Sequence, residues 1–254
     1  MAISPDLRTI WVATVPRTGS MWTYNVVREL VRSTGRTPLP EIVPQSDEDN
    51  EAIGRAGIAA GDGLYVVKLH ARIPQDLPHS FFVVTHRDLR DAMISFMRFT
   101  KGDFHAGLRF VAGAMRMERH FSGFPDDRRL DIQYPDIVDR PAEVVAAIAG
   151  RLGIEASATT VAAILEGFSK EKVQERIAAR EKALSERIAA RQPVDRRDFV
   201  PMSETQIRAF DTATGFQSGH VSAYREGDWR KILSPAQQAE VEALMAEIRA
   251  REGD

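Results

Sequence analysis

Short apolar runs alternate with helical patterns over the first 155 residues of the chain. The runs that predict strands cover residues 10–15, 64–69, 81–85 and 130–134. Apolar positions recur at helical spacing over residues 21–31, 88–99, 107–121 and 142–152. This alternation predicts an α/β protein, a three-layer sandwich with a central parallel sheet, whose ligands lie at the carboxyl ends of the strands.

Two segments depart from this alternation. Residues 47–62 are acidic and rich in Gly and Ala, which predicts a surface excursion with a short helix and no chemistry. From Thr159 onward the pattern is nearly all helical, which predicts a helical C-terminal part.

One hexapeptide, Glu-Arg-Ile-Ala-Ala-Arg, occurs at residues 175–180 and again at 186–191. An offset of eleven residues is about three helical turns and places both copies on one face, and Pro193 is expected to end the helix. Residues 170–193 therefore form either a solvated helix with many charge pairs, or a lid or a dimer contact.

Composition narrows the function classes. The 254 residues suit one large domain or two small ones, and we expect a single domain over residues 1–254. A net charge of −2 argues against a nucleic-acid partner, and the lack of cysteine excludes disulfides and thiolate chemistry. No signal-peptide pattern precedes the first strand, and no apolar run approaches the roughly 20 residues of a membrane span, so a cytoplasmic protein is expected.

The loop after the first predicted strand reads Pro-Arg-Thr-Gly-Ser at residues 16–20. Free backbone N–H groups and the helix dipole make the start of the following helix an anion site. Arg17 adds a permanently charged guanidinium whose N–H donors form a fork. A phosphate group of a nucleotide is the expected ligand. The common ATP/GTP loop, Gly-x-x-x-x-Gly-Lys-Ser/Thr, is not present, because the basic residue here precedes the glycine.

Further segments extend this pattern. Lys68-Leu69-His70 ends one predicted strand, Arg87 follows another with Ser95 two helical turns later, and Gly-Asp-Trp lies at residues 227–229. With the loop, these resemble the PAPS-dependent sulfotransferases. Residues 16–22 are similar to that family's Pro-Lys-Ser-Gly-Thr-Thr-Trp, and residues 68–70 are similar to its Lys-Thr-His.

Four other family motifs have counterparts in the same order. Residues 87–95 resemble Arg-x-Pro-Arg/Lys-Asp-x-x-x-Ser, and residues 134–141 resemble Tyr-Glu-Asp-Leu/Met-x-x-x-Pro at identical spacing. Arg-Leu-Gly-Ile at residues 151–154 is similar to the family's Phe-Leu-Gly, and residues 227–229 to its late Gly-x-x-Gly-Asp-Trp. Six such motifs span residues 16 to 229, which makes the combined signal specific although each one is weak.

The resemblance implies a phosphate-binding loop after the first strand and a nucleotide site for PAPS, with PAP as product. Arg17, with the N–H groups of Thr18, Gly19 and Ser20, is expected to hold the 5′-phosphate and its bridging oxygen, and Met21 continues the loop. Arg87 and Ser95 are expected to bind the 3′-phosphate, with Arg225 and Gly227 nearby. The residues expected around the adenine are Trp22, Tyr134 and Phe168.

The implied reaction moves a sulfuryl group to a hydroxyl or amine and needs no metal. His70 is expected to take the acceptor proton, while Lys68 and Arg17 neutralise charge on the transferring and leaving groups. His86, next to Arg87, is expected to support the 3′-phosphate turn.

The chain departs from the family pattern in four places. Arg17 replaces lysine, Met21 replaces a loop hydroxyl, and Pro135 replaces glutamate. The family's Arg-Lys-Gly falls at Ser222-Ala223-Tyr224, so its basic residues are missing, and Arg225 or His220 are the candidates to substitute for them.

The acceptor side is open. Phenylalanines and methionines over residues 96–124 form either an acceptor wall or plain core. A small-molecule or carbohydrate acceptor is expected. Two other functions stay open: a small-molecule kinase, disfavoured by the missing Lys-Ser/Thr, and a non-catalytic nucleotide-binding protein, disfavoured by Lys68 and His70.

Overall fold

A five-stranded parallel sheet forms the centre of the molecule. The computed structural model describes residues 3–201, 207–221 and 224–252. The strands of this sheet are β1 (Thr9–Ala13), β2 (Pro38–Leu39), β3 (Leu64–Leu69), β4 (Ser80–His86) and β5 (Arg129–Gln133). Their spatial order is β2-β3-β1-β4-β5, and every neighbouring pair runs parallel.

Helices cover both faces of the sheet. They are α1 (Ser20–Ser33), α2 (Asp47–Ala60), α3 (Leu89–Thr100), α4 (Phe104–Ser122), α5 (Tyr134–Asp139), α6 (Pro141–Leu152), α7 (Ala158–Gly167), α8 (Lys170–Ala189), α9 (Trp229–Ile232) and α10 (Pro235–Glu252). The predicted fold class, an α/β sandwich with a central parallel sheet, is confirmed.

Side-chain alternation along β1 divides the core into two halves. Ile10 and Val12 pack with apolar residues of α1 and α6 on one face, whereas Trp11 and Ala13 pack with residues of α3 and α4 on the other. All five residues of β1 are buried. A strand buried on both faces gives the continuous apolar run seen in the sequence.

The acidic segment at residues 47–62 forms a helix, as predicted, but it packs on the sheet, so the prediction of a surface excursion was wrong. Its residues form α2, which packs closely on the sheet because a Cβ at Gly54 would overlap the indole of Trp11 and one at Gly57 the ring of Tyr65. The hydroxyl of Thr9 donates to the carbonyl of Gly54 at 3.0 Å. The small residues that looked like loop composition are what allow the close approach.

The C-terminal part is less helical than predicted. After α8, strands β6 (Phe199–Pro201) and β7 (Ile207–Ala209) pair antiparallel, and much of the chain up to α9 is loop. Helix α8 ends at Ala189, before the predicted stop at Pro193, so the second hexapeptide copy runs past its end. In the described parts of the chain, none of the helices is apolar over a length that would cross a bilayer.

Candidate active site

A cleft of about 730 Å³ opens at the carboxyl ends of β1, β3 and β4, a size typical of small-molecule sites. Most of the predicted site residues line this cleft. They are Arg17, Gly19, Ser20, Met21, Trp22, Lys68, His70, Arg87, Ser95, Tyr134 and Phe168. The parallel topology explains this convergence, because β1, β3 and β4 all end at the same edge of the sheet.

The loop between β1 and α1 is held in a tight conformation. Arg17 and Gly19 both have positive φ, 71° and 98°. A Cβ at Gly19 would lie 2.6 Å from Cδ1 of Ile137, so the position requires glycine for space as well as for φ. The hydroxyl of Thr18 donates to the carbonyl of Val15 at 2.7 Å and lies 2.6 Å from Oγ1 of Thr85. The side chain of Thr18 therefore fixes the loop and does not line the cleft.

Helix α1 begins directly after this loop. Gly19 is its N-cap residue and makes no side-chain capping bond, so the backbone N–H groups of the first turn are left for another acceptor. No acidic side chain stands in that turn. The helix dipole adds partial positive charge here, which favours an anionic ligand.

Arg17 reaches across the cleft. Its Nε donates to Oγ of Ser95 at 3.0 Å, and its Nη2 donates to the carbonyls of Gly219 at 3.1 Å and His220 at 3.2 Å. The guanidinium lies 4.5 Å from the ring centre of Phe99. Burial, and next the charge of Arg87, lower the pKa of Arg17 to about 10, so the group is still charged at neutral pH.

Arg87 is a buried cation with two unused donors. Its side chain is 1% exposed and stacks on the ring of Tyr134, with Cζ 4.0 Å from the ring centre. Nη1 donates to the carbonyl of Arg17 at 3.2 Å. Among the described residues, neither Nε nor Nη2 has a hydrogen-bond partner. Nε lies 3.5 Å from Oε2 of Glu226, which gives an ion pair without a well-formed hydrogen bond. Because buried donors without hydrogen bonds are costly, this side of the guanidinium indicates an oxyanion ligand.

Lys68 and His70 project from the end of β3 and contact each other. Nζ of Lys68 lies 3.1 Å from Nε2 of His70, and Nδ1 of His70 lies 2.8 Å from the carbonyl oxygen of Thr14. Because a carbonyl only accepts, Nδ1 carries the proton and Nε2 accepts from the lysine. Burial, and next the charge of Lys68, hold the pKa of His70 well below its usual value, so the imidazole is neutral. Burial likewise lowers the pKa of Lys68.

Two residues of α2 hold the end of β3 in place, and sequence reasoning missed both. The backbone N–H of Lys68 donates to Oδ1 of Asn50 at 3.2 Å, and that of His70 donates to Oδ1 of Asp47 at 3.0 Å. The helix is started by Ser46, whose hydroxyl accepts from the N–H of Asp49. The Ser-x-x-Asp pattern was a readable helix-start signal.

Three expected residues lie elsewhere. Gly227 does not line the cleft; its N–H donates to Oδ2 of Asp91 at 2.7 Å. Arg225 is exposed, and its N–H donates to Asp228. His86 does not line the cleft, and its Nε2 lies 2.7 Å from Oδ1 of Asp131, so we no longer expect it to support the phosphate turn. Positions 222 and 223, where the family's basic residues are missing, lie outside the described residues.

The far wall of the cleft comes largely from the loop after β7, in which the sequence analysis named only His220, as a candidate substitute for the missing basic residues. Phe210, Phe216 and His220 line this wall. Nδ1 of His220 accepts from the N–H of Gln217 at 3.2 Å, and its ring stacks on Phe99 at 5.3 Å. Burial and the neighbouring Arg17 hold the pKa of His220 well below its usual value.

Only part of the predicted aromatic wall reaches the cleft. Phe96 and Phe99 line it, at the C-terminal end of α3. The other members pack in the core half behind α3 and α4, as the alternative interpretation expected; they are Met97, Phe104, Phe110, Met115, Met117, Phe121 and Phe124.

Comparison with known proteins agrees with this geometry. Residues 66–158, which carry Lys68, His70, Arg87 and Ser95, match the model of the sulfotransferase family. No curated protein sequence matches the chain.

Solved structures extend the likeness to the whole fold. Retinol dehydratase in complex with androsterone and the inactive cofactor PAP is similar with a TM-score of 0.56 at 16% identity, over 98% of this chain and 82% of that one. The complex of retinol dehydratase with retinol and PAP gives 0.57 at 15%, over 98% and 82%. A mouse sulfotransferase with PAP gives 0.56 at 15%, over 98% and 86%.

The chain thus has the fold of the sulfotransferases that it resembles. The resemblance to the sulfotransferase family that the motifs indicated is confirmed, by sequence over residues 66–158 and by fold over nearly the full chain.

Proposed function

We propose that this protein is a PAPS-dependent sulfotransferase that transfers a sulfuryl group to a hydroxyl or amine of a small-molecule acceptor. The observation that carries the proposal is the pairing, in one cleft, of a buried guanidinium with unused donors and a neutral histidine beside a lysine. The first suits a nucleotide phosphate and the second suits proton removal from an acceptor. Similar folds bind PAP, and one of them binds retinol or androsterone as well.

The residues present fit the nucleotide. Nε and Nη2 of Arg87 make no hydrogen bond among the described residues, and they suit a 3′-phosphate. Arg17 connects this group to Ser95, because its carbonyl accepts from Nη1 of Arg87 and its Nε donates to Oγ of Ser95. The uncapped start of α1 offers N–H donors for the 5′-phosphate side. Trp22, which lines the cleft, is expected beside the adenine.

PAPS supplies the activated sulfuryl group that the acceptor receives. Lys68 is expected to place its ammonium near the charge that builds on the transferring group. Its Nζ then no longer donates to Nε2 of His70, so that nitrogen is able to accept a proton. That nitrogen then takes the acceptor's proton, while Nδ1 keeps its own proton on the carbonyl of Thr14. The hydrogen bond to Thr14 fixes the tautomer in which Nε2 is the base.

The apolar side of the cleft favours an acceptor with a hydrophobic body. Phe96, Phe99 and Phe216 line this side, and the ring centre of Phe99 lies 4.5 Å from the guanidinium of Arg17. Burial of such a body supplies affinity, while the reacting hydroxyl or amine lies toward Lys68 and His70.

Nucleotide titration followed by thermal unfolding tests the proposal. PAP is expected to raise the melting temperature far more than ATP does, because ATP has no 3′-phosphate for Arg87. Saturation at about 100 times Kd stabilises the folded state by roughly 2.7 kcal/mol. Equal stabilisation by ATP that requires Mg²⁺ would instead support a small-molecule kinase, and stabilisation by neither nucleotide would contradict any nucleotide site in this cleft.

A further inference from the structure

The two unused nitrogens of Arg87 belong to the same side of its guanidinium. Nε–H and the neighbouring N–H of Nη2 point in one direction and form the fork that binds carboxylates and phosphates through two parallel hydrogen bonds. Nη1, on the other side, is occupied by the carbonyl of Arg17. The phosphate-binding side of Arg87 is therefore the side that is left without a hydrogen-bond partner among the described residues.

A carboxylate already stands at this fork. Oε2 of Glu226 lies 3.5 Å from Nε of Arg87, a distance that gives an ion pair without a well-formed hydrogen bond. The backbone around Glu226 is fixed, since the N–H groups of Gly227 and Trp229 both donate to the carboxylate of Asp91. Glu226 therefore stays beside the fork even though its side chain is 41% exposed.

The surroundings of Glu226 do not favour its charge. Carboxylate oxygens of Asp88, Asp91 and Glu226 lie within 4.8 Å of one another. Burial, followed by the charge of Asp91, raises the pKa of Glu226, against the opposing effect of Arg87. Because the ion pair between Glu226 and Arg87 is long and lies among acidic groups, we expect a dianionic phosphate to displace the carboxylate of Glu226 readily. The exposed side of Glu226 leaves room for the side chain to move into solvent.

We propose that Glu226 is a specificity-determining residue that competes with the nucleotide's 3′-phosphate for the Nε–Nη2 fork of Arg87. The inference rests on the proposed function, because it needs a nucleotide with a 3′-phosphate. Free protein keeps Arg87 partly neutralised by Glu226. A nucleotide without a 3′-phosphate leaves that pair intact, whereas PAP must displace the carboxylate to bind.

Calorimetric titration with PAP and with 5′-AMP tests this competition, because the two ligands differ only by the 3′-phosphate. Glu226→Gln and Glu226→Ala are expected to tighten PAP about tenfold, the effect of removing one nearby like charge from a partly exposed phosphate site. The affinity for 5′-AMP is expected to change less than twofold. Glu29→Gln is the matched control: it removes the same charge from a surface pair with Arg32 near the far end of α1, and neither ligand should respond.

The alternatives give different patterns. Unchanged PAP affinity in both Glu226 variants, in a protein that binds PAP better than 5′-AMP, would overturn the inference and leave the proposed function in place. Weaker PAP binding in both variants would also overturn it, because Glu226 would then orient Arg87 and not compete. If wild type and variants alike bind PAP no better than 5′-AMP, the 3′-phosphate site does not exist, and the proposed function fails together with the inference.

Discussion

The two ends of the cleft are built in different ways. At the end where we propose that the nucleotide binds, called the nucleotide end, most side chains come from the ends of parallel strands and from the starts of helices. Arg87 follows β4 directly, and Ser20 opens α1. At the end where we propose that the acceptor binds, called the acceptor end, the wall comes from the loop after β7 and from the end of α3, and Phe99 and His220 meet across about 120 residues of chain.

This difference shows which part of such a site is determined by the local sequence. Anion binding needs backbone N–H groups and cations at one edge of a sheet, which a strand-loop-helix unit supplies by itself. An acceptor wall needs only apolar surface of the right shape, and loops of many sequences can supply it. The nucleotide end is therefore where motifs are readable, and the acceptor end is where proteins of this fold are free to differ.

The largest expected effect lies where the two ends meet, at His70. His70→Ala should lower turnover by about 10² or more, the scale of losing a general base, once an acceptor is available for the assay. PAP affinity should stay within a few-fold, because Nε2 of His70 serves the acceptor. His86→Ala is the matched control: that histidine pairs with Asp131 outside the cleft and should leave both quantities near wild type.

Retained activity in a folded His70→Ala protein would show that His70, at the boundary between the two ends, is not the base. Asp47, which lines the cleft and accepts from the N–H of His70, would then be the next candidate to test.

The next largest effect tests the nucleotide end alone. Arg87→Ala should weaken PAP by about 10- to 100-fold, because charge-assisted hydrogen bonds to the 3′-phosphate are lost. Adenosine 5′-phosphosulfate, which lacks that phosphate, should be weakened far less. Arg55→Ala removes a guanidinium from an exposed pair with Glu51 and controls for the change in net charge. Equal losses of both ligands in Arg87→Ala would take Arg87 out of the 3′-phosphate site.

Sequence reasoning predicted the fold correctly, and it named most of the residues that line one side of the cleft, because both follow short-range rules. The strand at Leu64–Leu69 was predicted with its observed bounds, and the predictions for β1, β4 and β5 were displaced by a residue or two, since apolar runs in a buried parallel sheet are continuous. The two-residue strand β2 was not predicted. Most of the motif residues meet in one cleft because the topology aligns the strand ends.

The misses have a common physical cause, which is tertiary contact. Small residues in α2 resembled loop composition, although they serve to bring the helix against Trp11. The contact of Glu226 with Arg87 joins positions nearly 140 residues apart, and neither residue type predicts it. Strands β6 and β7 have only three residues each, so their sequence pattern is too short to be recognised among the helical patterns around them.

A third prediction tests whether α2 supports the strand end that carries Lys68 and His70. Gly54→Ala should lower the free energy of unfolding by about 1–3 kcal/mol, because the new methyl group overlaps the indole of Trp11 and overpacking outweighs the gain in helix propensity. Urea unfolding measures it. Gly113→Ala, in α4 with open space around the added Cβ, is the matched control and should stabilise the protein by up to about 1 kcal/mol.

If Gly54→Ala is as stable as wild type, α2 adapts easily and does not brace the sheet. A stable variant with reduced turnover would show that the helix acts on the site through Asp47 and Asn50.

A smaller effect is expected from pH. If His70 is the base, its neutral imidazole is the active form. Burial and Lys68 lower the pKa of His70, so we expect acid to reduce turnover only below the ordinary histidine range near pH 6.5. Between pH 8 and pH 6.5, turnover should change less than about twofold, as expected for a base whose pKa lies below this window. A pH–rate profile at saturating nucleotide measures this change. A steep fall through pH 7 would mean that His70 is solvated during turnover or that another group is the base.

The smallest effect concerns the proposed lid at residues 170–193, which lies beside the cleft. Only its start, with Lys170 and Val173, lines the cleft. Farther along the helix, Arg180 and Arg187 both form ion pairs with Asp198, the residue directly before β6. These pairs hold α8 against the β6–β7 strand pair. We therefore expect PAP to slow amide hydrogen exchange in the first turn of α8 and to leave the remaining turns unchanged, with α10 as an internal reference. Slower exchange across both hexapeptide copies would show instead that the whole helix closes over the nucleotide, and α8 would then join the nucleotide end of the cleft.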